Sequence, residues 1–338
     1  MKRNLNGDLR TSGRISEFHG DRPIGPDDND ELGFAPIATR IAEAIVSQSA
    51  DGGFVMAIEG PWGSGKSSLL NLVDHSLSGF DRAGKNKVIR FEPWLVGDRD
   101  ALLAQLFAEI ANAVDEIESE ENPNRVDVVE GATFLADKMR VYATKLSGPS
   151  KIIGALGSLG VPGAQIAAEV MEKISSAAER SSPGQTIAGR KSELASLLSD
   201  VPYRLVVIVD DLDRLEPAEA SEIVRLVRAV ADFPNIVYVL SFDPDILTKS
   251  VQDTLRVASG RDYLEKIIQV SVSVPLPESF DLRRWFSREL SGLANVDEEH
   301  AVRLREIIDS EGGRRLNTPR DVVRVLNAIR LLWPGENS

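Results

Sequence analysis

The chain has 338 residues, of which 42% are hydrophobic and 27% are charged, an ordinary balance for a globular protein with room for two or three domains. Its 39 basic and 52 acidic residues give a formal net charge of −13, which argues against a surface that binds nucleic acid throughout. The absence of cysteine excludes disulfide scaffolds and cysteine-ligated metal sites, and three widely spaced histidines argue against a metal centre built from histidine.

The N-terminal 30 residues are polar and rich in Asp, Gly and Pro, a composition that predicts a flexible N-terminal arm over residues 1–30. Residues 1–14 lack the apolar stretch of a signal peptide, so we expect a cytoplasmic protein. The rest of the chain divides into a predicted core over residues 31–277 and a predicted helical C-terminal lid over residues 278–338.

Short apolar runs alternate with helical patterns through the predicted core. The apolar runs predict five buried strands, at residues 54–58, 88–91, 205–209, 236–240 and 270–274. Helices are predicted at residues 32–46, from Lys66, at 99–117, after Pro217 and after Asp243-Pro244, and then at 279–291, 297–310 and 318–332. Strands that alternate with helices favour an α/β fold, with a parallel sheet covered by helices on both faces.

Residues 118–188 form a predicted helical insert between the second and third strands. Within it, segment 152–168 has no charged residue but four glycines and one proline. We interpret this segment as a Gly-rich turn between packed helices, because it is shorter than the roughly 18–20 residues of a membrane span. A membrane contact, which would make the protein membrane-associated, and a self-association surface are the alternatives.

The segment Gly60-Pro-Trp-Gly-Ser-Gly65-Lys66-Ser67 fits the phosphate-loop pattern G-x-x-x-x-G-K-[ST] and lies between a predicted strand and a predicted helix. Its glycines allow backbone N–H groups and the helix N-terminus to face phosphate oxygens. Lys66 is expected to reach the β and γ phosphates, and Ser67 to ligate Mg²⁺. Trp62 is interpreted as a packing residue. The nucleotide contacts are assigned to Gly60, Pro61, Trp62, Gly63, Ser64, Gly65, Lys66, Ser67 and Ser68.

The third predicted strand runs directly into Asp210, Asp211 and Asp213. Asp210 is expected at the carboxyl edge of the sheet, where it would hold Mg²⁺. Asp211 would point the other way, and orient or deprotonate the attacking water. Asp213 and Arg214 are interpreted as a structural ion pair, with contact to a neighbouring subunit as the alternative.

Five short motifs, and a weaker sixth, together resemble those of a known family. They are Asp30-Glu-Leu-Gly-Phe34, residues 57–67, Phe91-Glu-Pro-Trp94, Asp210-Asp-Leu-Asp-Arg-Leu215, Tyr263-Leu-Glu-Lys-Ile-Ile268 and Asn317-Thr-Pro-Arg-Asp321. Through them the chain resembles the KAP family of P-loop NTPases over about residues 21–332. The phosphate loop is generic, whereas Phe-x-Pro-Trp combined with Asp-Asp-Leu-Asp-Arg is much more specific.

The resemblance implies a five-stranded sheet of order 5-1-4-3-2 between helices, and ATP as the nucleotide. It implies that the insert at 118–188 is the family's variable region, which holds transmembrane helices in many members. Segment 152–168 is short, broken by glycine and single, so a two-pass hairpin is not expected here. Some bacterial members are linked to defence against phage and others act as scaffolds, which places an anti-phage role among the expectations.

The resemblance also implies, by position, three sites outside the main motifs. Gly33 and Phe34, with Leu32, would lie against the adenine, and the alternative is a hydrophobic staple at the entry to the first helix. Arg320 would be the sensor arginine that a helical lid directs at the γ-phosphate, and the alternative is a surface or capping arginine. Ser241, at the end of the fourth strand, would be the polar sensor residue.

These residues favour a Mg²⁺-dependent ATPase whose nucleotide cycle switches conformation or assembly. No effector domain is evident, so the ATP and ADP states are expected to act through a homo-oligomer or a separate effector protein. The candidates for an arginine finger supplied by a neighbouring subunit are Arg214, Arg256, Arg261 and Arg315.

Other functions are less favoured by the sequence. A nucleotide-gated scaffold or binding module with little or no hydrolysis is the main alternative, because Asp211 stands where many P-loop ATPases have a longer Glu. A phosphotransferase is weaker, because no motif for a second substrate is present. The arginine-rich C-terminal helices would suit nucleic acid, but their interleaved acidic residues favour a solvated, salt-bridged face.

Overall fold

A computed structural model describes the main elements of the chain as two compact units. The larger unit comprises Ile24–Trp62 and Lys66–Val274, and the smaller unit includes Gly63–Gly65 and Pro275–Ser338. The described residues are 22–48, 52–80, 86–91, 93, 99–121, 133–147, 186–230, 232–293, 298–310 and 315–332.

The larger unit is built on a five-stranded parallel sheet. Its strands are β1 (Phe54–Glu59), β2 (Asn86–Phe91), β3 (Arg204–Val209), β4 (Ile236–Phe242) and β5 (Val270–Ser273). Their order is β2-β3-β4-β1-β5, which is the expected 5-1-4-3-2 order read from the opposite edge. The α/β fold and the strand order are therefore confirmed. Because all pairs are parallel, the segments after β1, β3 and β4 leave the sheet at the same edge.

The central strands β1, β3 and β4 are largely apolar because both faces of the sheet are covered there. All seven residues of β4 are buried, whereas the edge strand β5 is largely exposed. Successive residues of β3 alternate between the two layers: Val206 and Ile208 pack in the layer of α1 and α2, Val207 and Val209 in the other. The helices of the larger unit are α1 (Ala35–Val46), α2 (Lys66–Gly79), α3 (Arg99–Glu121), α4 (Thr133–Ser147), α5 (Ile187–Ser199), α6 (Pro217–Val230), α7 (Pro244–Leu255) and α8 (Gly260–Leu264).

The described part of the smaller unit has a helical core of its own. Leu282, Phe286, Leu316, Val322 and Leu326 belong to its buried apolar cluster. Three helices were expected after Pro277, and three α-helices occur in the described residues of that region, close to the predicted bounds. They are α9 (Ser279–Leu293), α10 (Glu298–Ser310) and α11 (Pro319–Leu332).

Helix ends follow the capping residues that the sequence shows. Asp243 accepts hydrogen bonds from the N–H groups of Asp245 and Ile246, and Pro244 begins α7, as expected. Helix α1 was expected from residue 32 but begins at Ala35. The carboxylate of Asp30 accepts the N–H groups of Phe34 and Ala35, at 2.9 and 2.8 Å, and so fixes the start three residues later.

Helix α1 is also held at its C-terminal end. The guanidinium of Arg204, at the start of β3, donates to the carbonyl oxygens of Ile45, Val46 and Gln48, the last two at 2.8 and 2.7 Å. A cation there satisfies carbonyls that the helix leaves unpaired and complements its dipole. This contact ties α1 to the sheet independently of its apolar face.

The segment before α1 is ordered against α2 from Ile24. The N–H of Ile24 donates to Ser68 Oγ at 3.2 Å, and its carbonyl accepts from Asn71 Nδ2 at 3.0 Å. Two polar side chains of α2 thus hold the backbone at Ile24, and the flexible arm over residues 1–30 stays a prediction. Residues 1–21 lie outside the described part of the chain.

No helix among the described residues combines the length and apolar character needed to cross a membrane. Segment 152–168, for which a turn, a membrane contact and self-association are the alternatives, lies outside the described residues.

We predict that Gly260→Ala destabilises the larger unit by about 2–3 kcal/mol, because overpacking at a close backbone contact forces the neighbours apart. A methyl group added at Gly260 would lie only 2.0 Å from the carbonyl oxygen of Thr248 in α7. Urea unfolding followed by circular dichroism measures the effect. Gly79→Ala is the control, since a methyl group at the end of α2 would meet nothing within 4 Å. Equal unfolding midpoints for the two variants would contradict the prediction.

Candidate functional site

The phosphate loop connects β1 to α2, as the sequence predicts. Gly60 donates its N–H to the carbonyl oxygen of Phe242 at 3.2 Å, which attaches the start of the loop to the end of β4. Gly63 and Gly65 have φ angles of +83° and +100°, in the region that favours glycine. The loop then enters α2 at Lys66, whose first-turn N–H groups are the ones available to an anion.

Lys66 is an almost fully buried cation. Its side chain is 5% exposed, and its ammonium donates to the carbonyl oxygen of Gly60 at 3.0 Å. It lies 3.6 Å from Oδ2 of Asp213, whose side chain is 2% exposed. A buried charge is costly unless it is paired, so Asp213 is the group that makes this position of Lys66 tolerable.

The structure therefore corrects the expected pairing of Asp213 with Arg214. Arg214 instead pairs with Asp211, with 3.1 Å between its Nε and Oδ1. Asp213 and Arg214 both lie on the short 3₁₀ turn Leu212–Arg214, whose tight winding sends consecutive side chains in different directions. Asp213 therefore faces Lys66, whereas Arg214 faces Asp211.

Asp211 has a left-handed backbone conformation and a raised side-chain pKa. Its φ of +57° is in the left-handed region, which costs energy for a residue with a side chain. Burial, and then the negative charge of Asp210, raise the pKa of the Asp211 carboxyl to about 6, although Arg214 opposes the shift. A carboxylate with this pKa can accept a proton near neutral pH.

Asp210 follows β3 directly and is half-buried at the carboxyl edge of the sheet. Its Oδ1 accepts the N–H of Asp211 at 2.8 Å, which orients the carboxylate. β4 lies between β3 and β1, and Ser241 in its penultimate position is fully buried. The three elements that carry Asp210, Ser241 and the phosphate loop thus end side by side.

Several buried oxygen atoms have no hydrogen-bond partner within the described part of the chain. Among them are Oγ of Ser64 in the loop, Oγ of Ser241 in β4 and Oδ1 of Asp213 after β3. Buried polar groups normally find partners, so Oγ of Ser241 and Oδ1 of Asp213, with the cation of Lys66, suit a polar, anionic ligand with a bound cation.

The residues present also fit Mg²⁺ bound together with phosphate. No group of three or more acidic or histidine side chains converges on a metal site in the described residues. Mg²⁺ usually keeps waters and takes one or two protein ligands beside substrate phosphates. Ser67 in the first turn of α2 and Asp210 after β3 could supply those ligands.

The remaining residues that were predicted to contact the nucleotide differ in how deeply they are buried. Phe34 is buried in the apolar layer formed with α1 and α2, as the helix-entry alternative requires, whereas Gly33 and Leu32 retain exposed surface. Trp62 was expected to be a packing residue but is 49% exposed, because the loop directs Ser64 and Lys66 inward instead. Ser68 accepts the N–H of Ile24.

Arg320 lies in the first turn of α11, within the smaller unit that also contains Gly63–Gly65. A methyl group on Gly63 would be 3.2 Å from Cβ of Arg320 and 3.3 Å from Oγ1 of Thr318. Thr318 and Asp321 cap α11 reciprocally through their side chains and N–H groups. The sensor role of Arg320, with a surface or capping arginine as the alternative, stays a prediction.

The candidate finger residues are not equivalent. Arg214 is paired with Asp211, and Arg261 lies 3.4 Å from Glu265. Arg256 is exposed and has a φ of +53° at the end of α7, and Arg315 is exposed before α11. Within the family motifs, Phe91 and Pro93 are buried, whereas Glu92 and Trp94 lie outside the described residues.

Sequence reasoning missed the role of Asp213 beside Lys66. The available signal was the third carboxylate in Asp-Asp-Leu-Asp-Arg, placed after a strand that faces a lysine-bearing loop. The direction of the Asp213 side chain depends on the 3₁₀ turn, which the sequence pattern did not predict.

Comparison with known proteins gives two solved structures of the Aeropyrum pernix ORC2 protein. Its ADP form shares 15% sequence identity and a TM-score of 0.39, with coverage of 93% of this chain and 72% of that chain. Its ADPNP–ADP complexes share 14% identity and a TM-score of 0.39, with coverage of 94% and 72%.

A curated relative is the phage T7 exclusion protein of Escherichia coli (strain K12). The two sequences are 32% identical over 318 residues, which cover 90% of this chain but only 42% of the relative. The chain therefore spans less than half the length of that protein. The KAP family P-loop domain matches residues 34–334 of this chain. With that match over nearly all of its length, and with the phosphate loop and acidic strand end in the expected fold, the chain belongs to the KAP family of P-loop NTPases.

Proposed function

We propose that this protein is a Mg²⁺-dependent ATPase whose nucleotide cycle switches its conformation or its assembly with a partner effector. The observation that carries the proposal is the placement of the phosphate loop after β1 and of Asp210 and Asp211 after β3, with β4 between them. This arrangement brings a phosphate-binding cation and two carboxylates to one edge of the sheet.

Each residue would have a distinct task in hydrolysis. Backbone N–H groups of the loop and Lys66 would bind the phosphates, and Ser67 and Asp210 would hold Mg²⁺. When bound, Mg²⁺ would neutralise charge on the phosphate oxygens. Asp211 would orient the attacking water and accept its proton. Ser241, with a buried hydroxyl that lacks a partner among the described residues, would hydrogen-bond near the γ-phosphate.

The remaining binding assignments are part of the same proposal. Leu32 and Gly33 would approach the adenine, with Phe34 supporting them from the apolar layer beneath. Arg320 would sense the γ-phosphate. The switch would act through a homo-oligomer or a separate effector, with Arg256 and Arg315 as the exposed candidates for a finger in trans.

We extend the proposal to bacterial defence against phage. The support is the 32% identity with a phage T7 exclusion protein, although the match includes only 42% of that relative. If the role is shared, the ATPase would control an antiviral response. A cytoplasmic location is part of the same proposal.

A nucleotide-gated binding module with little hydrolysis is the second candidate. The contact between Asp211 and Arg214 favours it, because a carboxylate held by a guanidinium is a poorer base. In that case ATP binding alone would change the surface presented to a partner.

We predict that Lys66→Ala lowers ATP turnover about 100-fold or more, the range found when a transition-state charge partner is removed. Phosphate release should be measured over a series of protein concentrations, with oligomeric size determined in parallel. Lys87→Ala is the matched control, since it removes a lysine paired with Glu116 at the surface of the same unit. Turnover that rises with assembly would support shared sites, and ATP binding without turnover in the wild type would favour the second candidate.

We predict that turnover at saturating ATP rises with pH through a midpoint near or above 6. Asp211 must lose its proton to act as a base, and its pKa is about 6 before phosphate charges raise it further. Asp211→Asn should be slow and should lack this dependence. A wild-type profile that is flat between pH 5 and pH 8 would contradict the assignment of Asp211 as the base.

We predict that Arg320→Ala reduces turnover more than it reduces ADP affinity, because a γ-phosphate contact exists only with ATP. Steady-state kinetics and titration with fluorescent ADP separate the two effects. Arg284→Ala is the control, since Arg284 is an exposed arginine in α9 of the same unit. An equal loss of turnover and ADP affinity, or unchanged turnover, would argue against the sensor role.

A further inference from the structure

The contacts of Lys66 show that its ammonium is shared between two protein groups. It makes a hydrogen bond of 3.0 Å with the carbonyl of Gly60 and lies 3.6 Å from the carboxylate of Asp213. The second separation is longer than a hydrogen bond but well within the range of a strong ion pair, especially where both side chains are almost fully buried.

Among the described residues, the carboxylate of Asp213 has fewer partners than the ammonium of Lys66. Oδ2 faces the ammonium, whereas Oδ1 has no hydrogen-bond partner in the described part of the chain. A buried carboxylate with one unsatisfied oxygen depends strongly on its single counter-ion. Any group that draws the ammonium away from Asp213 therefore acts against a substantial electrostatic restraint.

We propose that Asp213 is a positioning residue that competes with nucleotide phosphates for Lys66 and so sets the affinity for ADP and ATP. The inference rests on the proposed function, because it takes Lys66 as the phosphate-binding cation. Phosphate oxygens and the Asp213 carboxylate are both anions that seek the same ammonium. Competition from the Asp213 carboxylate weakens nucleotide binding and speeds the release of ADP.

The neighbouring acids do not share this arrangement. Asp211 is paired with Arg214, and Asp210 accepts the N–H of Asp211. Among the ion pairs found in the described residues, Lys66 is paired with Asp213. Neutralising Asp213 should therefore act on Lys66 in a way that neutralising an acid elsewhere at the sheet edge does not.

The test uses Asp213→Asn, which keeps the shape of the side chain and removes its charge. We expect ADP and ATP to bind about tenfold more tightly, the size expected when a charged competitor for a hydrogen-bonding group is removed. ADP release, followed with a fluorescent ADP, should slow by a similar factor. Asp213→Glu keeps the charge and should remain closer to the wild type.

Asp243→Asn is the matched control. Asp243 follows β4 at the same edge of the sheet and caps α7, a task that Asn performs equally well. The charge change is the same, but among the described residues Asp243 forms no ion pair with Lys66. Equal tightening in both variants would show a general charge effect and overturn the proposal, as would unchanged or weaker binding in Asp213→Asn.

A second measurement needs no nucleotide. Urea unfolding of the wild type, Lys66→Met, Asp213→Asn and the double variant forms a cycle. Each single variant leaves a buried charge unpaired, so we expect the double variant to be more stable than the sum of the two losses predicts. Additive losses would overturn the pair, and Asp213→Ser is the alternative neutral variant if Asp213→Asn does not fold.

These outcomes separate the inference from the function on which it rests. Wild-type protein that binds neither ADP nor ATP would overturn the proposed function and the competition with it. Normal binding by the wild type, with no tightening in Asp213→Asn, would overturn the role of Asp213 alone.

Discussion

The parallel pairing of β3, β4 and β1 is the constraint on which the candidate site depends. Residues of the phosphate loop and of the acidic strand end lie far apart in the chain, yet both follow strands that end at the same edge of one sheet. β4 separates them by one strand width on either side, about 5 Å for each pair of neighbours.

Charge balance at this edge is achieved pairwise. Lys66 faces Asp213, and Arg214 faces Asp211, so a single 3₁₀ turn supplies one member of each pair. Burial and then the negative charge of the half-buried Asp210 raise the pKa of the Asp211 carboxyl to about 6. The buried charge of Lys66, which would be costly in an ordinary core, is tolerated here because an opposite charge faces it.

Side-chain contacts at both ends hold α1 in place. Asp30 fixes the N-terminal end of α1, and Arg204 fixes its C-terminal end from the start of β3. Ile24 is attached to α2 by Ser68 and Asn71. The segment before α1 is therefore anchored to the helix that begins at Lys66, which makes it part of the nucleotide-binding architecture rather than a loose extension.

The sequence by itself determined the α/β class, the five strands and the position of the phosphate loop, because apolar runs, glycines and capping residues act locally. The resemblance to a family added the strand order, which local patterns do not encode. Tertiary structure alone decided that Asp213 faces Lys66, that Arg214 pairs with Asp211 and that Trp62 is exposed. The pair of Lys66 and Asp213 joins residues distant in the chain and depends on which strands become neighbours. The pair of Arg214 and Asp211 and the exposure of Trp62 depend on side-chain directions in a 3₁₀ turn and a glycine-rich loop, which the local sequence patterns do not specify.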